Sequence, residues 1–320
     1  MCPYKAGAAW KIQAPAKLNL YLEVFGPRAD GFHALETLMV PVRVYDQLCY
    51  SSGCESSSCD SSSSGEPLSL RVRDARRGNL GQTQVGPSES NLVLRAAHLL
   101  ADKAGIRPHG RFDLIKRIPI QAGMGGGSSD AAAALLLANE AWGLGYSRAQ
   151  LQLVAAELGS DVPFFLAGAP ALCRGRGEIV EPVSGMPRLH FVVAKPAAGL
   201  STPEVFRQLR NRKQVPDPLE VNQQTNRLVD SLRHGALASA AALISNRLEA
   251  AARSIAPWLT HVRELFQSAG CVTQFLTGSG SAYVGLMRSA THARQTASRL
   301  RNRSLSLGVE LGHVFATSSC

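Results

Sequence analysis

Residues 119–142 run Pro-Ile-Gln-Ala-Gly-Met-Gly-Gly-Gly-Ser-Ser-Asp, then Ala-Ala-Ala-Ala-Leu-Leu-Leu-Ala-Asn-Glu-Ala-Trp. Gly123, Gly125, Gly126 and Gly127 oppose regular structure, because each glycine costs roughly 1 kcal/mol inside a helix or strand. The alanine-rich run that follows predicts a helix over 131–142, its first turn capped by Ser128, Ser129 or Asp130. A loop entering a helix N-terminus offers N–H groups and the positive end of a dipole, which suits a phosphate. The plain alternative is a Gly-rich turn before a helix. The coincidence of glycines, hydroxyls and a strong helix former makes the phosphate loop the better reading.

Two common phosphate loops are excluded. A Walker A loop needs Gly-Lys before Ser or Thr, and the chain contains no Gly-Lys. The dinucleotide fingerprint needs a third small residue where this run has Ser128. The protein-kinase signatures His-Arg-Asp and Asp-Phe-Gly are also absent.

Around this run the chain alternates strand and helix signals. Residues 12–25 predict a half-buried strand, with Leu18, Leu20, Leu22 and Val24 on one face and Lys17, Asn19, Tyr21 and Glu23 on the other. A turn over 26–31 precedes Phe32-His33, and 38–50 reads as strand. Composition then breaks: 51–66 holds nine serines and two cysteines, too polar to pack, and predicts a solvated insertion. Strand signals resume at 68–72, and 76–87 is a polar loop. A helix begins at Ser90 or Asn91 and ends near Gly105, with Leu92, Leu99 and Leu100 inward, and a strand at 112–118 leads into the glycine run. Beyond it, Ser147 caps a helix over 148–158 that Gly159 stops, and 160–163 opens a short helical turn. Residues 174–177 form a turn, 189–194 a buried strand, and a helix starts at Pro203. Helical signals around 205–209 and 246–266 precede strands over 271–287 and 309–316, with a helix between them. These signals predict an α+β chain of two domains, 1–185 and 186–320, the second a smaller α/β sandwich.

Composition narrows the partners. The longest apolar run is about eight residues, well short of the ~20 of a membrane span. The first ten residues hold no apolar stretch of a secretory signal. Seven cysteines, an odd number without a Cys-x-x-Cys pair, are expected to be free thiols in a cytoplasmic protein. The net charge of +10 raises a nucleic-acid partner, but 27 of the 34 basic residues are arginines spread along the chain. Dispersed positive charge also steers small polyanionic ligands, so no nucleic-acid partner is expected.

Five stretches carry a resemblance that covers most of the chain. Pro119-Ile120-Gln121-Ala122-Gly123-Met124-Gly125-Gly126-Gly127-Ser128-Ser129-Asp130 resembles the ATP loop of the GHMP kinases, the galacto-, homoserine, mevalonate and phosphomevalonate kinases. The other four are Ala14-Pro15-Ala16-Lys17-Leu18-Asn19-Leu20, Arg28-Ala29-Asp30-Gly31-Phe32-His33, Leu158-Gly159-Ser160-Asp161-Val162-Pro163-Phe164-Phe165 and Leu276-Thr277-Gly278-Ser279-Gly280-Ser281-Ala282. They stand in the family's order. The closest likeness is to the branch that phosphorylates the 2-hydroxyl of 4-diphosphocytidyl-2-C-methyl-D-erythritol in the non-mevalonate isoprenoid pathway. The sibling possibility is a homoserine- or mevalonate-type kinase.

The resemblance implies a two-domain GHMP kinase fold, its first domain like domain 2 of ribosomal protein S5 and its second a ferredoxin-like sandwich. That ribosomal likeness keeps an RNA-binding module as the reading from another class. It implies ATP and Mg²⁺ as cofactors, the ATP held by residues 119–129, with Ser128 and Ser129 as donors or a metal ligand. Phosphoryl transfer needs in-line positioning, charge neutralisation and one proton acceptor. By residue pattern alone Asp161 is either a helix N-cap before Pro163 or that acceptor, and Lys17 a solvated strand lysine. The resemblance makes Asp161 the acceptor and Lys17 the cation beside the attacking hydroxyl. It further assigns Phe32 and Phe206 to stacking on cytosine, His33 to its edge, and Asn19 and Thr202 to the methylerythritol diphosphate side. It leaves Mg²⁺ ligands undefined, and the chain a monomer or a homodimer. Two features depart from the family pattern: the 51–66 insertion, and Arg247 where an acidic residue is expected after Asn246.

Overall fold

The computed structural model describes residues 1–52, 67–75, 90–210, 215–306 and 310–320. Most of the 51–66 insertion and the whole 76–87 loop lie outside them. Two compact units emerge, both α+β. One comprises Met1–Ala16, Val44–Ile118 and Gly125–Gly168; the other comprises Lys17–Arg43, Pro119–Met124 and Ala169–Cys320. The units interleave along the sequence, where the sequence reading divides the chain once at 185.

In the first unit β1 (Tyr4–Ala6) pairs antiparallel with the start of β2 (Ala9–Pro27). The end of β3 (His33–Ser51) belongs to the same unit, followed by β4 (Ser69–Asp74) and helix α1 (Leu92–Ala104). Strand β5 (Arg111–Lys116) pairs antiparallel with β3 and parallel with β4. The side chain of Asn91 accepts the Val93 N–H at the start of α1, and Gly105 ends the helix in the left-handed region, as its φ of 66° requires. Its buried stripe is Val93, Leu94, Ala96, Ala97, Leu100 and Ala101. Leu92 and Leu99 are only half-buried, because the stripe is set by small alanines that let the helix approach closely.

Helix α2 spans Gly126–Ala141, so it begins before the alanine run and takes in two of the glycines. Gly125 is its N-cap, with φ 69°, and no side chain caps it. Ser128, Ser129 and Asp130 are therefore helical residues, not caps. Glycine is tolerated in a first turn because the N–H groups there have no intrahelical partner. Leu135, Leu137 and every alanine from 131 to 134 are buried, the mark of a helix inside a core. Helix α3 (Arg148–Leu158) starts with a full capping box between Ser147 and Gln150, and α4 (Val162–Ala167) carries Pro163 in its first turn.

The second unit receives the later part of β2 and the earlier part of β3. Here β3 pairs with β6 (Ala171–Arg174), which pairs with β7 (Ile179–Pro182). The predicted half-buried strand is buried on both faces: Leu18 and Leu20 on one, and Lys17, Asn19 and Tyr21 on the other. Polar side chains are covered there because each has a hydrogen-bond partner within the unit or joins a charge network.

A four-stranded antiparallel sheet follows, ordered β10-β11-β8-β12. Its strands are β8 (His190–Lys195), β10 (Thr273–Leu276), β11 (Tyr283–Met287) and β12 (His313–Ser318). Helices α5 (Thr202–Arg210), α6 (Pro218–Arg233) and α7 (Leu237–Leu243) lead to the short β9 (Ser245–Asn246), parallel to β2. The helical stretch expected over 246–266 is two helices, α8 (Leu248–Ile255) and α9 (Trp258–Gln267), separated at Pro257. Helix α10 (Ala290–Ser306) precedes β12. One apolar core joins Leu22 and Val24 of β2 to Val192, Leu248, Phe266, Leu276 and Tyr283.

Candidate functional site

The second unit brings three separated motifs together. The Lys17 ammonium donates to Asn19 Oδ1 at 2.5 Å. The Asn19 amide donates to Thr37 Oγ1 at 2.9 Å, and its backbone N–H donates to Thr277 Oγ1 at 3.0 Å. Thr37 passes its own proton to the Tyr21 carbonyl at 2.5 Å. Lys17, Asn19, Thr37 and Thr277 are all buried, so each bond is formed out of water, where leaving one unmade is costly.

The turn after β10 then grips the start of the glycine run. Ser281 N–H donates to the Gln121 carbonyl at 3.2 Å and Ala282 N–H to the Ala122 carbonyl at 3.3 Å. The Lys17 N–H donates to the Met124 carbonyl at 3.0 Å. Ala122 and Met124 are buried, whereas Ile120 is exposed. Gly123 has φ 71°, and a Cβ there would overlap the Thr277 carbonyl. Its glycine is thus fixed by backbone packing against the Thr277 turn, where the sequence suggested only approach of a phosphate. Pro119 is buried beside the exposed Ile120, and Gln121 takes a φ of 51°.

The same turn reaches α5: the Thr202 and Ser279 hydroxyls are 2.7 Å apart. On the face of α5 the Phe206 ring stacks obliquely on His33, centroids 5.3 Å apart. Phe32 stays about half exposed, and the Arg176 guanidinium lies 4.9 Å from its ring centre, a cation–π geometry. His33 and Phe206 thus meet, and Phe32 presents an aromatic face to solvent beside a cation.

In the first unit, the α2 end is open. Gly127 is exposed, and the N–H groups of Gly126, Gly127 and Ser128 point off the helix end, since only Ser129 N–H has its Gly125 carbonyl partner at 2.9 Å. Ser129 Oγ and Asp130 Oδ1 are buried without a hydrogen-bond partner. Lys116 Nζ reaches Asp130 Oδ2 at 2.5 Å and also binds the Asp46 carboxylate. Asp46 Oδ1 in turn accepts the backbone N–H groups of Arg117 and Ile118, at 2.5 and 2.8 Å. Two carboxylates share one ammonium here. Burial pushes the Asp130 carboxyl up to about 8, Lys116 working against it and Asp46 with it. With no side-chain cap, the first-turn N–H groups of α2 are of the kind that can donate to an anion. Asp161 opens α4 and is half-buried, and its side chain makes no capping bond, so the N-cap reading does not explain it.

Three residues of the site escape motif-free reading. Asn246 donates both amide protons, to the Leu276 and Gly278 carbonyls, each at 2.7 Å. Its Oδ1 accepts the Leu248 N–H at 2.9 Å, capping α8. Glu249 accepts the Tyr283 hydroxyl at 2.5 Å and the Leu276 N–H at 3.3 Å. The third is Thr277, whose hydroxyl joins β2 to this turn. Nothing in local sequence links them, because their partners are distant in the chain. Arg247, the unexpected cation, pairs with Glu23 at 3.0 Å. Burial raises the Glu23 carboxyl and Arg247 offsets that rise.

Among the described residues, no group of three or more His, Cys, Asp or Glu could hold a metal, and no helix is long and apolar enough to cross a membrane. None of the five described cysteines, Cys2, Cys49, Cys173, Cys271 and Cys320, is in a disulfide.

Comparison with known proteins identifies the family. Residues 91–169 match the family described as GHMP kinases N terminal domain, and 228–305 match GHMP kinases C terminal. The chain is 38% identical over 292 residues to a 4-diphosphocytidyl-2-C-methyl-D-erythritol kinase of Pelotomaculum thermopropionicum, covering 90% of this chain and 92% of the relative. It is similar to the crystal structure of a 4-(cytidine 5'-diphospho)-2C-methyl-D-erythritol kinase, with TM-score 0.72, 34% identity, and coverage of 97% and 99%. A homoserine kinase from Cytophaga hutchinsonii shares the fold at TM-score 0.71 but only 18% identity, covering 99% and 96%.

Proposed function

The chain belongs to the GHMP kinases, in the branch of the 4-diphosphocytidyl-2-C-methyl-D-erythritol kinases, and on that premise we propose how its residues divide the work. The reaction is ATP-dependent phosphorylation of the 2-hydroxyl of 4-diphosphocytidyl-2-C-methyl-D-erythritol, giving the 2-phosphate and ADP in the non-mevalonate route to isoprenoids. The observation that carries this reading is the joining of Lys17 and Asn19, residues 121–124 and the Thr277 turn by hydrogen bonds, since these are the segments of the family's motifs.

Residues 119–129 hold the nucleotide, which supplies the phosphoryl group, with the first-turn N–H groups of α2 facing its phosphates. Mg²⁺ would be held through those phosphates and water, with the Ser128 or Ser129 hydroxyl as a candidate protein ligand, and would neutralise charge on the phosphates. Asp161 accepts the proton of the 2-hydroxyl and Lys17 stabilises the negative charge that develops on that oxygen. Asn19 and Thr202 bind the methylerythritol diphosphate. Phe32 and Phe206 stack on cytosine, and His33 reads its edge. The division of the sequence into 1–185 and 186–320 belongs to this reading, supported by family matches on either side of it. So do a cytoplasmic setting and a monomer or homodimer.

A coupled assay of ADP release tests the reading. The cytidine compound should have a kcat/KM at least ~5-fold above that of methylerythritol phosphate without its cytidine, because one stacking face contributes about 1–3 kcal/mol. Equal turnover of the truncated alcohol, homoserine or mevalonate would remove the base pocket and leave a sibling kinase. Asp161→Asn should lower kcat at least ~10²-fold with little change in melting temperature. Near-normal kcat would take Asp161 out of the mechanism.

A further inference from the structure

Several contacts of the candidate site in the second unit converge on one turn, residues 277–282. Thr277 accepts the Asn19 N–H, Ser281 and Ala282 hold the carbonyls of Gln121 and Ala122, and Ser279 meets Thr202. The Ser281 hydroxyl also donates to the Ala198 carbonyl at 2.7 Å. A turn with so many outward duties needs support from behind. Its internal bonds are few: Thr277 N–H to the Ala282 carbonyl at 3.2 Å and Gly280 N–H to the Thr277 carbonyl at 3.0 Å.

That support comes from the start of α8. Both protons of the buried Asn246 amide are committed to carbonyls flanking Thr277, and its oxygen is committed to the α8 cap. An amide has two donors and one oxygen, so Asn246 is fully used and no other side chain of its size supplies that set. Its own backbone is fixed in turn, since β9 pairs with β2 at Tyr21 and Leu22 and the Arg247 N–H donates to the Leu22 carbonyl at 2.9 Å. Asn246 therefore refers the turn to the same strand that carries Lys17 and Asn19.

We propose that Asn246 is a positioning residue of the phosphoryl-transfer site, holding the Thr277 turn in register with Lys17, Asn19 and the 121–124 segment. The proposal rests on the kinase reading above. The Asn246 amide is engaged by the Leu276 and Gly278 carbonyls and the Leu248 N–H, so its influence on the site passes through the Thr277 turn.

The test is Asn246→Ser, whose hydroxyl still accepts the Leu248 N–H but is too short to reach the two carbonyls. Amide hydrogen exchange at Ser281 and Ala282 should speed by at least ~10-fold, the scale expected when buried hydrogen bonds are lost. Turnover per folded molecule, measured well below the melting temperature, should fall at least ~10-fold. In a double-mutant cycle, Asn246→Ser and Thr277→Val should lose less in kcat together than the sum of their separate losses. Arg247→Ala, which breaks the ion pair with Glu23 and keeps the backbone N–H bond to Leu22, should leave exchange at the turn unchanged. If Asn246→Ser fails to fold, the milder Asn246→Thr, which keeps the cap and adds a methyl, takes its place. Unchanged exchange at Ser281 and Ala282, additive losses, or faster exchange with wild-type kcat would each overturn the proposal. Failure of the unmutated protein to phosphorylate the cytidine compound would instead sink the kinase reading, and exchange at the turn would then decide alone whether Asn246 holds it.

Discussion

Gly123 and Gly127 belong to one glycine-rich run and are glycine for different reasons. Gly123 sits in a buried approach of two backbones, with φ 71° and the Thr277 carbonyl where a Cβ would stand. Gly127 is in the first turn of α2, exposed, and the nearest atom to a Cβ there would be Leu92 Cδ1 at 3.5 Å, an ordinary contact. The first half of the run is shaped by the protein's own packing. At Gly127 nothing internal calls for glycine, and in the proposed function its N–H faces a ligand that must approach closely. The run thus has one part fixed by packing and another to which the proposed function gives a binding duty, and the two can be separated by substitution.

The largest effect should come from Gly123→Ala. Left-handed backbone costs a non-glycine residue about 1–2 kcal/mol, and forced overlap in a packed region typically adds 1–3. A loss of ~3 kcal/mol or more in urea unfolding is expected, with activity lost alongside. A variant as stable as the parent would show that the Thr277 turn yields, and the comparison would collapse.

The next prediction concerns the charge cluster behind α2. Asp130 is held up to about 8 by burial, so in the folded state it keeps its proton where the unfolded chain has released it. Below the ordinary carboxylate range both states are protonated and the group contributes nothing to pH dependence. Between that range and about 8 the folded state binds more protons, so this group's contribution to stability falls as pH rises. Asp130→Asn removes the titration. Its stability relative to the parent should improve steadily from pH 5 to pH 8, at no more than ~1.4 kcal/mol per pH unit. Parallel unfolding free energies for the two proteins across that range would refute the assignment.

What could be read in advance follows the same division between local and distant causes. The ends of α1 and α3 were legible because Asn91, Gly105, Ser147 and Gln150 act on their own helix. The start of α2 was misplaced, because glycine propensity speaks for helix interiors and the first turn is exempt from it. Helix α6 is missing from the sequence reading although Asp217 and Pro218 mark its start, because its apolar positions Val221, Leu228, Val229 and Leu232 are sparse in a polar stretch. It is held partly by Thr225 on the buried Glu36 carboxylate, which Arg174 also pairs at 2.8 Å. Lys17 and Asn19 were legible as strand residues on one face but not as buried ones, since their partners Thr37 and Thr277 lie elsewhere in the chain. The roles of Asn246 and Glu249 were not legible for the same reason.

A smaller effect is expected at Gly126, which is intermediate between the two glycines compared above. A Cβ there would meet Ile118 Cγ2 at 3.0 Å and Lys116 Nζ at 3.3 Å, both side-chain atoms with some freedom to move. Alanine restricts the unfolded chain, a gain of up to ~1 kcal/mol, and the crowding opposes it. Gly126→Ala should therefore lie within about 1 kcal/mol of the parent. Because it presses on Lys116, its effect should not add to that of Asp130→Asn. Additive free energies in the double variant would show that the ammonium does not transmit the strain.

The smallest stability change, and the sharpest division of roles, belongs to Gly127→Ala. The site has room for a methyl and a helical backbone, so stability should rise by a few tenths of a kcal/mol. If the N–H groups of this turn face phosphates, the same methyl stands between them and the ligand. The Michaelis constant for ATP should then rise about 10-fold or more, while that for the alcohol substrate stays near the parent's value. A protein that is more stable yet weaker for ATP is the outcome peculiar to a binding glycine, since a structural one loses both together. Should Gly127→Ala be more stable and bind ATP as tightly as the parent, the second half of the run would have no external duty. The phosphate would then have to be sought at Gly125 or at the side chains of Ser128 and Ser129.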